Sequence, residues 1–105
     1  MAKRTVDVNI MNIVNRYIKE ISKYYEIKAV YIFGSFVKGT NNEDSDIDIA
    51  IVLNSDINKI DLMVDLMMLT KNIDLRIEPH PLKEKDFEEG NPFVEEIINT
   101  GLKVA

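Results

Sequence analysis

The chain of 105 residues has no cysteine and no tryptophan, and it contains one histidine, three prolines and four glycines. Without cysteine, the protein has no disulfide bond, thiolate metal site or cysteine nucleophile. No apolar run approaches the ~20 residues that a membrane-spanning helix needs, and no signal-peptide core follows the first four residues. We therefore expect a cytoplasmic protein that does not enter a membrane. A net charge of −5 without a basic stripe disfavours tight, non-specific binding to nucleic acid.

The composition, 46% hydrophobic and 30% charged, predicts one folded domain over residues 1–105. Apolar periodicity and capping residues place its elements along the chain. These are a helix between Thr5 and Tyr25, strands over 28–33, 46–53 and 72–78, a helix after Ser55 or Asp56, a helix from Pro92 to Gly101, and a tail or short edge strand over 102–105. The predicted fold class is α/β (α+β), a small mixed sheet of about three or four strands flanked by helices.

Two side-chain environments follow from these predicted elements. In the third strand, Asp74, Arg76 and Glu78 alternate with apolar residues and share a polar face. Arg76 either contacts phosphate or balances the neighbouring acids. Pro79 and Pro81 are expected to end that strand, which would leave His80 in a loop. The methionines of the middle helix are expected to fill the core.

The most informative stretch of the sequence runs from Tyr31 to Leu53, YIFGSFVKGTNNEDSDIDIAIVL. Asp46 and Asp48 alternate with isoleucines, so a strand places both carboxylates on one face, with Cα atoms ~6.5 Å apart. Two like charges at that separation favour a bound cation, and Mg²⁺ accepts one or two carboxylates and keeps positions for phosphate oxygens. The sequence therefore predicts a metal site, although paired acids also occur on solvated surfaces.

Two other readings of this stretch fail on residue type. A calcium-binding loop starting at Asp44 requires glycine and glutamate where the chain has Ile49 and Ser55. A serine-hydrolase motif around Ser35 requires glycine where the chain has Phe33.

The motif Gly34-Ser35, followed after ten residues by Asp46-Ile47-Asp48 and later by Asp74, resembles the nucleotidyltransferase superfamily of DNA polymerase β. In size the chain is most similar to the minimal nucleotidyltransferases of that superfamily. The resemblance implies a Mg²⁺-dependent enzyme with ATP as nucleotide donor. It further implies that Asp46, Asp48 and Asp74 hold two metal ions, and that Asp74 helps to deprotonate the acceptor.

The same resemblance assigns the nucleotide phosphates to the loop that begins at Gly34. Gly34 allows close backbone approach, and Ser35 with the following N–H groups binds phosphate. Lys38 stands where many relatives have arginine, so it would contact phosphate as a point charge without a bidentate fork.

The resemblance also implies a partner, because minimal nucleotidyltransferases commonly pair with a small helical HEPN protein. In that pairing they act as antitoxins that transfer AMP from ATP to a tyrosine of the toxin. Two alternatives stay open. The chain could neutralise a partner by contact alone, without catalysis, or it could transfer a nucleotide to a small hydroxylated molecule.

Overall fold

The computed structural model describes residues 6–42, 44–88 and 90–105. Five helices, one 3₁₀ turn and four strands occur in these ranges. In chain order they are α1 Val8–Ile21, β1 Ile27–Phe33, α2 Ser35–Lys38, β2 Ile47–Leu53, α3 Lys59–Leu69, the 3₁₀ turn Thr70–Asn72, β3 Ile77–Lys83, α4 Glu84–Glu88, α5 Pro92–Thr100 and β4 Leu102–Lys103.

The strands form one mixed sheet in the order β3-β2-β1-β4. β1 pairs antiparallel with both β2 and β4, while β2 and β3 run parallel, connected through α3. The predicted fold class is confirmed, and the C-terminal residues form the short edge strand rather than a tail. None of the described helices is long and apolar enough to cross a membrane.

One face of the sheet carries the larger part of the core. Alternate residues of β2 point to this face, where four large side chains are fully buried: Ile47, Ile49, Ile51 and Leu53. α1 and α3 pack over them. The two helices are also joined by a buried hydrogen bond, in which the Tyr17 hydroxyl donates to the Leu66 carbonyl at 2.7 Å.

The opposite face of the sheet is covered only in part. α5 places Val94 and Ile97 against Ala50 and Val52 of β2, and Leu82 of β3 joins this second cluster. Asn91 caps α5 by accepting a hydrogen bond from the Phe93 N–H at 2.9 Å, and Pro92 occupies the first turn. At the Asp48 end of this face the cover is incomplete, and the Asp48 side chain is 24% exposed.

The prediction that methionines fill the core is wrong for two of them. Only Leu62 and Leu66 of α3 are buried, whereas Met67 and Met68 are 54% and 55% exposed. Ile60 and Val64 of α3 are also exposed, at 77% and 54%.

The prediction of a third strand over 72–78 is also wrong. β3 begins at Ile77 and continues through Pro79 and Pro81, which the sequence pattern had placed beyond the strand. The preceding residues form a turn, in which the Arg76 N–H donates to the Asp74 carboxylate at 2.9 Å. Such side-chain to backbone bonds favour a turn over a strand. Leu75, one of the apolar residues that alternate with Asp74, Arg76 and Glu78, is 78% exposed.

Candidate active site

The site is built around Asp48, on the accessible face of the central strand β2. Its register partners are Phe33 at the end of β1 and Glu78 on β3. The next residue after Phe33 is Gly34, with φ of +81° and ψ of −153°, a region open essentially to glycine alone. A Cβ built on Gly34 would lie 2.3 Å from Asp48 Oδ2. The absence of a side chain at Gly34 therefore lets the loop close against the Asp48 carboxylate.

Glu78 brings a second carboxylate beside Asp48, because parallel pairing places the two residues directly opposite each other on the same face. Asp46, just before β2, lies next to Glu78, and the two share a groove of about 380 Å³. The pKa of Glu78 is raised, first by partial burial and then by the negative charge of Asp48. A hydrogen bond and the charge of Asp46 raise this pKa further, whereas His80 lowers it in part. Three carboxyl groups thus converge on one end of the sheet.

His80 is the third group around Asp48, and its position was not expected. It lies on β3, two residues after Glu78 and on the same face of the strand, and not in a loop. Its Nε2 atom is 3.4 Å from Asp48 Oδ1 and 3.9 Å from Glu78 Oε1. Within the described residues, one ligand atom from each of Asp48, Glu78 and His80 lies within 4.8 Å of the others. This set has the composition and spacing of a metal site.

Asp74 lies apart from this group. Its carboxylate forms an ion pair with Arg76, at 2.9 Å from Nη2 and 3.1 Å from Nε. The hydrogen bond from the Arg76 side chain lowers the pKa of Asp74, which outweighs the effect of burial. Of the two roles considered for Arg76, the structure shows the charge-balancing one, directed at Asp74.

Ser35 and Lys38 lie at the two ends of α2, directly after Gly34. Lys38 and Gly34 line a groove of about 250 Å³ together with Phe33 of β1 and Phe93 of α5. Ser35 is half-buried and Lys38 is exposed. The groove brings a cation and two aromatic rings to the same side of the sheet as Asp48.

Glu78 and His80 lie beside Asp48, although the sequence pattern did not single them out. The metal-binding role predicted for Asp74 came from the family resemblance, together with the expectation that NIDLRIE forms a strand that the two prolines end. A signal was nevertheless present, since Glu78 and His80 have the spacing of Asp46 and Asp48. Recognising it required knowing which residue of β3 pairs with Asp48.

Comparisons with known proteins identify the family. Residues 15–104 match the model of the family described as "Polymerase beta, Nucleotidyltransferase". This match gives the class of the protein as a polymerase β-like nucleotidyltransferase. Because the match spans most of the chain, the protein belongs to this family, whose enzymes are nucleotidyltransferases.

Two individual proteins are also similar to the chain. A protein of Methanocaldococcus jannaschii named "Putative protein adenylyltransferase MJ1215" is 40% identical over 42 residues, which are 40% of this chain and 49% of that protein. The chain thus matches about half the length of that relative. The crystal structure of a putative nucleotidyltransferase from Sulfolobus solfataricus superposes with a TM-score of 0.67 at 20% identity, covering 91% of this chain and 79% of the other. At that identity the likeness shows the shared fold.

Proposed function

We propose that the protein is an adenylyltransferase that moves AMP from ATP to a hydroxyl group of another protein. The observation that carries this is the placement of Asp48 opposite Glu78, with Gly34 closed against the Asp48 carboxylate. A carboxylate pair beside a glycine loop can hold a divalent ion and a triphosphate together. The family match supports the reaction class, and the name of the M. jannaschii relative supports a protein acceptor.

The residues present fit the divalent ions that this family implies. Asp48, Glu78 and Asp46 supply oxygen ligands, and partial burial together with the charges of Asp48 and Asp46 raises the pKa of Glu78. When bound, the ions neutralise charge on the triphosphate and the attacking oxygen. Asp46 and Asp48 keep the metal-binding roles predicted for them. We assign the third carboxylate to Glu78, because Asp74 is engaged by Arg76.

The chain's own groups would then act on the nucleotide as follows. Gly34 and Ser35 bind the terminal phosphates, and Lys38 adds a positive charge at the far end of the same turn. The acceptor oxygen forms a bond to the α-phosphorus, the bond to pyrophosphate breaks, and the hydroxyl proton passes to the Glu78 carboxylate. In-line phosphoryl transfer needs positioning and charge stabilisation more than covalent help from the protein.

A protein acceptor also fits the surface beside the carboxylates. The groove that contains Asp46 and Glu78 continues along Met63, Met67 and Leu75. Leu75 is 78% exposed and Met67 is 54% exposed. Contiguous exposed apolar side chains are typical of surfaces that bind another protein. A segment of the acceptor protein bound in this groove would bring its hydroxyl to the metal site.

The partner predicted from the family resemblance is a small helical HEPN protein, with this chain as its antitoxin. That pairing rests on the resemblance, and we retain it as the first partner to test. The same holds for ATP as donor and Mg²⁺ as the ion.

The direct test is transfer of radioactivity from α-³²P-ATP into a host-cell lysate, with Mg²⁺ or Mn²⁺ present. We expect a labelled protein band that disappears with Asp48→Asn and with Glu78→Gln. Asp74→Asn is the matched control, since it removes one negative charge from the same region without touching the Asp48 group. Label that persists in the Asp48 and Glu78 variants would refute the assignment. Loss of label with Asp74→Asn alone would return the third carboxylate to Asp74.

Two other results would select the alternatives. Label in a small molecule would identify a small hydroxylated acceptor. A partner protein that is neutralised equally well by wild type and by Asp48→Asn would identify a module acting by contact alone.

A further inference from the structure

His80 is the one imidazole of the chain, and packing fixes its ring. Phe33 lies edge-on to it at a centroid distance of 5.0 Å, and Phe93 contacts it from α5 at 5.9 Å. The His80 side chain is 23% exposed. Because β3 presents Glu78 and His80 on one face, the ring nitrogen Nε2 faces the two carboxylates.

The distances around Nε2 suit a shared ion better than a direct hydrogen bond. The 3.4 Å separation from Asp48 Oδ1 exceeds an ordinary hydrogen-bond length of ~2.7–3.2 Å. Two ligand atoms that each lie ~2.1 Å from one ion are ~3.0 Å apart at right angles and ~4.2 Å apart when opposite. The separations of 3.4 and 3.9 Å from Nε2 lie between these limits. One ion can therefore reach the imidazole and both carboxylates after small side-chain rotations.

We propose that His80 is a metal ligand and that it makes the site select a first-row transition-metal ion such as Mn²⁺ over Mg²⁺. This rests on the proposed function, since the ion is the one held by Asp48 and Glu78. Mg²⁺ binds almost only oxygen ligands, whereas imidazole nitrogen suits transition metals, and their affinities exceed those of harder ions at mixed nitrogen and oxygen sites. An all-carboxylate site would lack this discrimination.

The decisive measurement is pulsed EPR of the Mn²⁺-loaded full chain, prepared without a histidine tag. Because His80 is the single histidine, an imidazole ¹⁴N coupling to Mn²⁺ can arise from no other side chain of the protein. We expect that coupling in wild type and its loss in His80→Asn. The wild-type spectrum alone tests the proposal, so it stays decidable if a variant fails to fold.

Competition between the two ions gives the second readout. His80→Asn should weaken Mn²⁺ binding about tenfold or more, while Mg²⁺ binding changes less than about twofold. His80→Gln serves as a second variant, and circular dichroism confirms that both are folded. Asp48→Asn should weaken both ions together, because it removes a ligand that they share.

The outcomes separate this inference from the proposed function. Mn²⁺ that binds without a ¹⁴N coupling, and that is lost in Asp48→Asn, would overturn the role of His80 and leave the nucleotidyltransferase site intact. Failure of Mn²⁺ and Mg²⁺ to bind, with or without a non-hydrolysable ATP analogue, would overturn both proposals.

Discussion

Replacing Gly34 with alanine is expected to disable the metal site through a backbone effect. Gly34 has φ of +81° and ψ of −153°, where a residue with a Cβ pays about 1–3 kcal/mol. The added Cβ would also lie 2.3 Å from Asp48 Oδ2. The Asp48 side chain is 24% exposed, so it can rotate away from the new methyl group. We therefore expect the added methyl group to displace the Asp48 carboxylate from its position in the metal site.

Gly39→Ala is the matched control for this experiment. Gly39 ends α2 with φ of +77°, and a Cβ there would meet no atom within 4 Å. Left-handed backbone costs an alanine about 1–2 kcal/mol. Both variants should therefore lose comparable stability, with Tm lower by about 4–8 °C for each kcal/mol. Only Gly34→Ala also moves Asp48.

The assay is metal binding at a temperature where both variants are folded, followed by nucleotide transfer. Mn²⁺ affinity should fall about tenfold or more in Gly34→Ala, and it should match wild type in Gly39→Ala. If Gly34→Ala binds Mn²⁺ as tightly as Gly39→Ala, the contact between the loop and Asp48 has no functional consequence and the reasoning is wrong.

Three further predictions concern the rest of the molecule. Tyr17→Phe removes the buried hydroxyl that donates to a carbonyl of α3 and should cost about 1–3 kcal/mol in urea unfolding; an unchanged midpoint would contradict it. Asp86 is 4% exposed; burial raises its pKa, but hydrogen bonds from the Lys59 side chain and a backbone N–H outweigh this and lower it. Its stabilisation is thus present above ~pH 4, the unfolded value, and is lost as pH falls through the lower folded value. Asp86→Asn should cost about 1–3 kcal/mol at pH 7, and its difference from wild type should shrink on acidification; a constant difference would refute the assignment. Leu75→Ser should strongly reduce transfer to the protein acceptor without changing metal affinity, whereas Val8→Ser, similarly exposed on α1, should leave both unchanged; equal effects would exclude the groove as the acceptor surface.

The sequence was sufficient for the elements whose signals are local. The alternation of isoleucines in β2, the Asn91-Pro92 start of α5 and the apolar stripe of α1 each depend on neighbours within a few residues. Asp46 and Asp48 were found in the same way, because their spacing alone places them on one face. The glycine next to them was found by its position after an apolar strand.

The contact between Asp48 and Glu78 could not be predicted from a local pattern, because Glu78 lies on another strand. In NIDLRIE the period of two is present, but only its last two residues, Ile77 and Glu78, belong to a strand. The Asp74 side chain instead binds the Arg76 N–H and guanidinium and closes a turn. Three hydrogen bonds from Arg76 to the Asp74 carboxylate stabilise that turn locally. The periodicity of a sequence does not show whether a backbone N–H will bond to a nearby side chain or to a neighbouring strand.

Pro79 and Pro81 leave β3 without two backbone donors, yet β3 still pairs with β2. β3 is an edge strand with β2 on one side, and alternate residues of a parallel strand direct their backbone groups to opposite sides. Pro79 and Pro81 occupy the same alternate set, so their missing N–H groups can all face the open edge, and Glu78 and His80 remain available to pair with β2. An edge without donors also resists pairing with another chain. The same alternation that spares the ladder puts both polar side chains on the Asp48 face, so the proline spacing and the site geometry follow from one pattern.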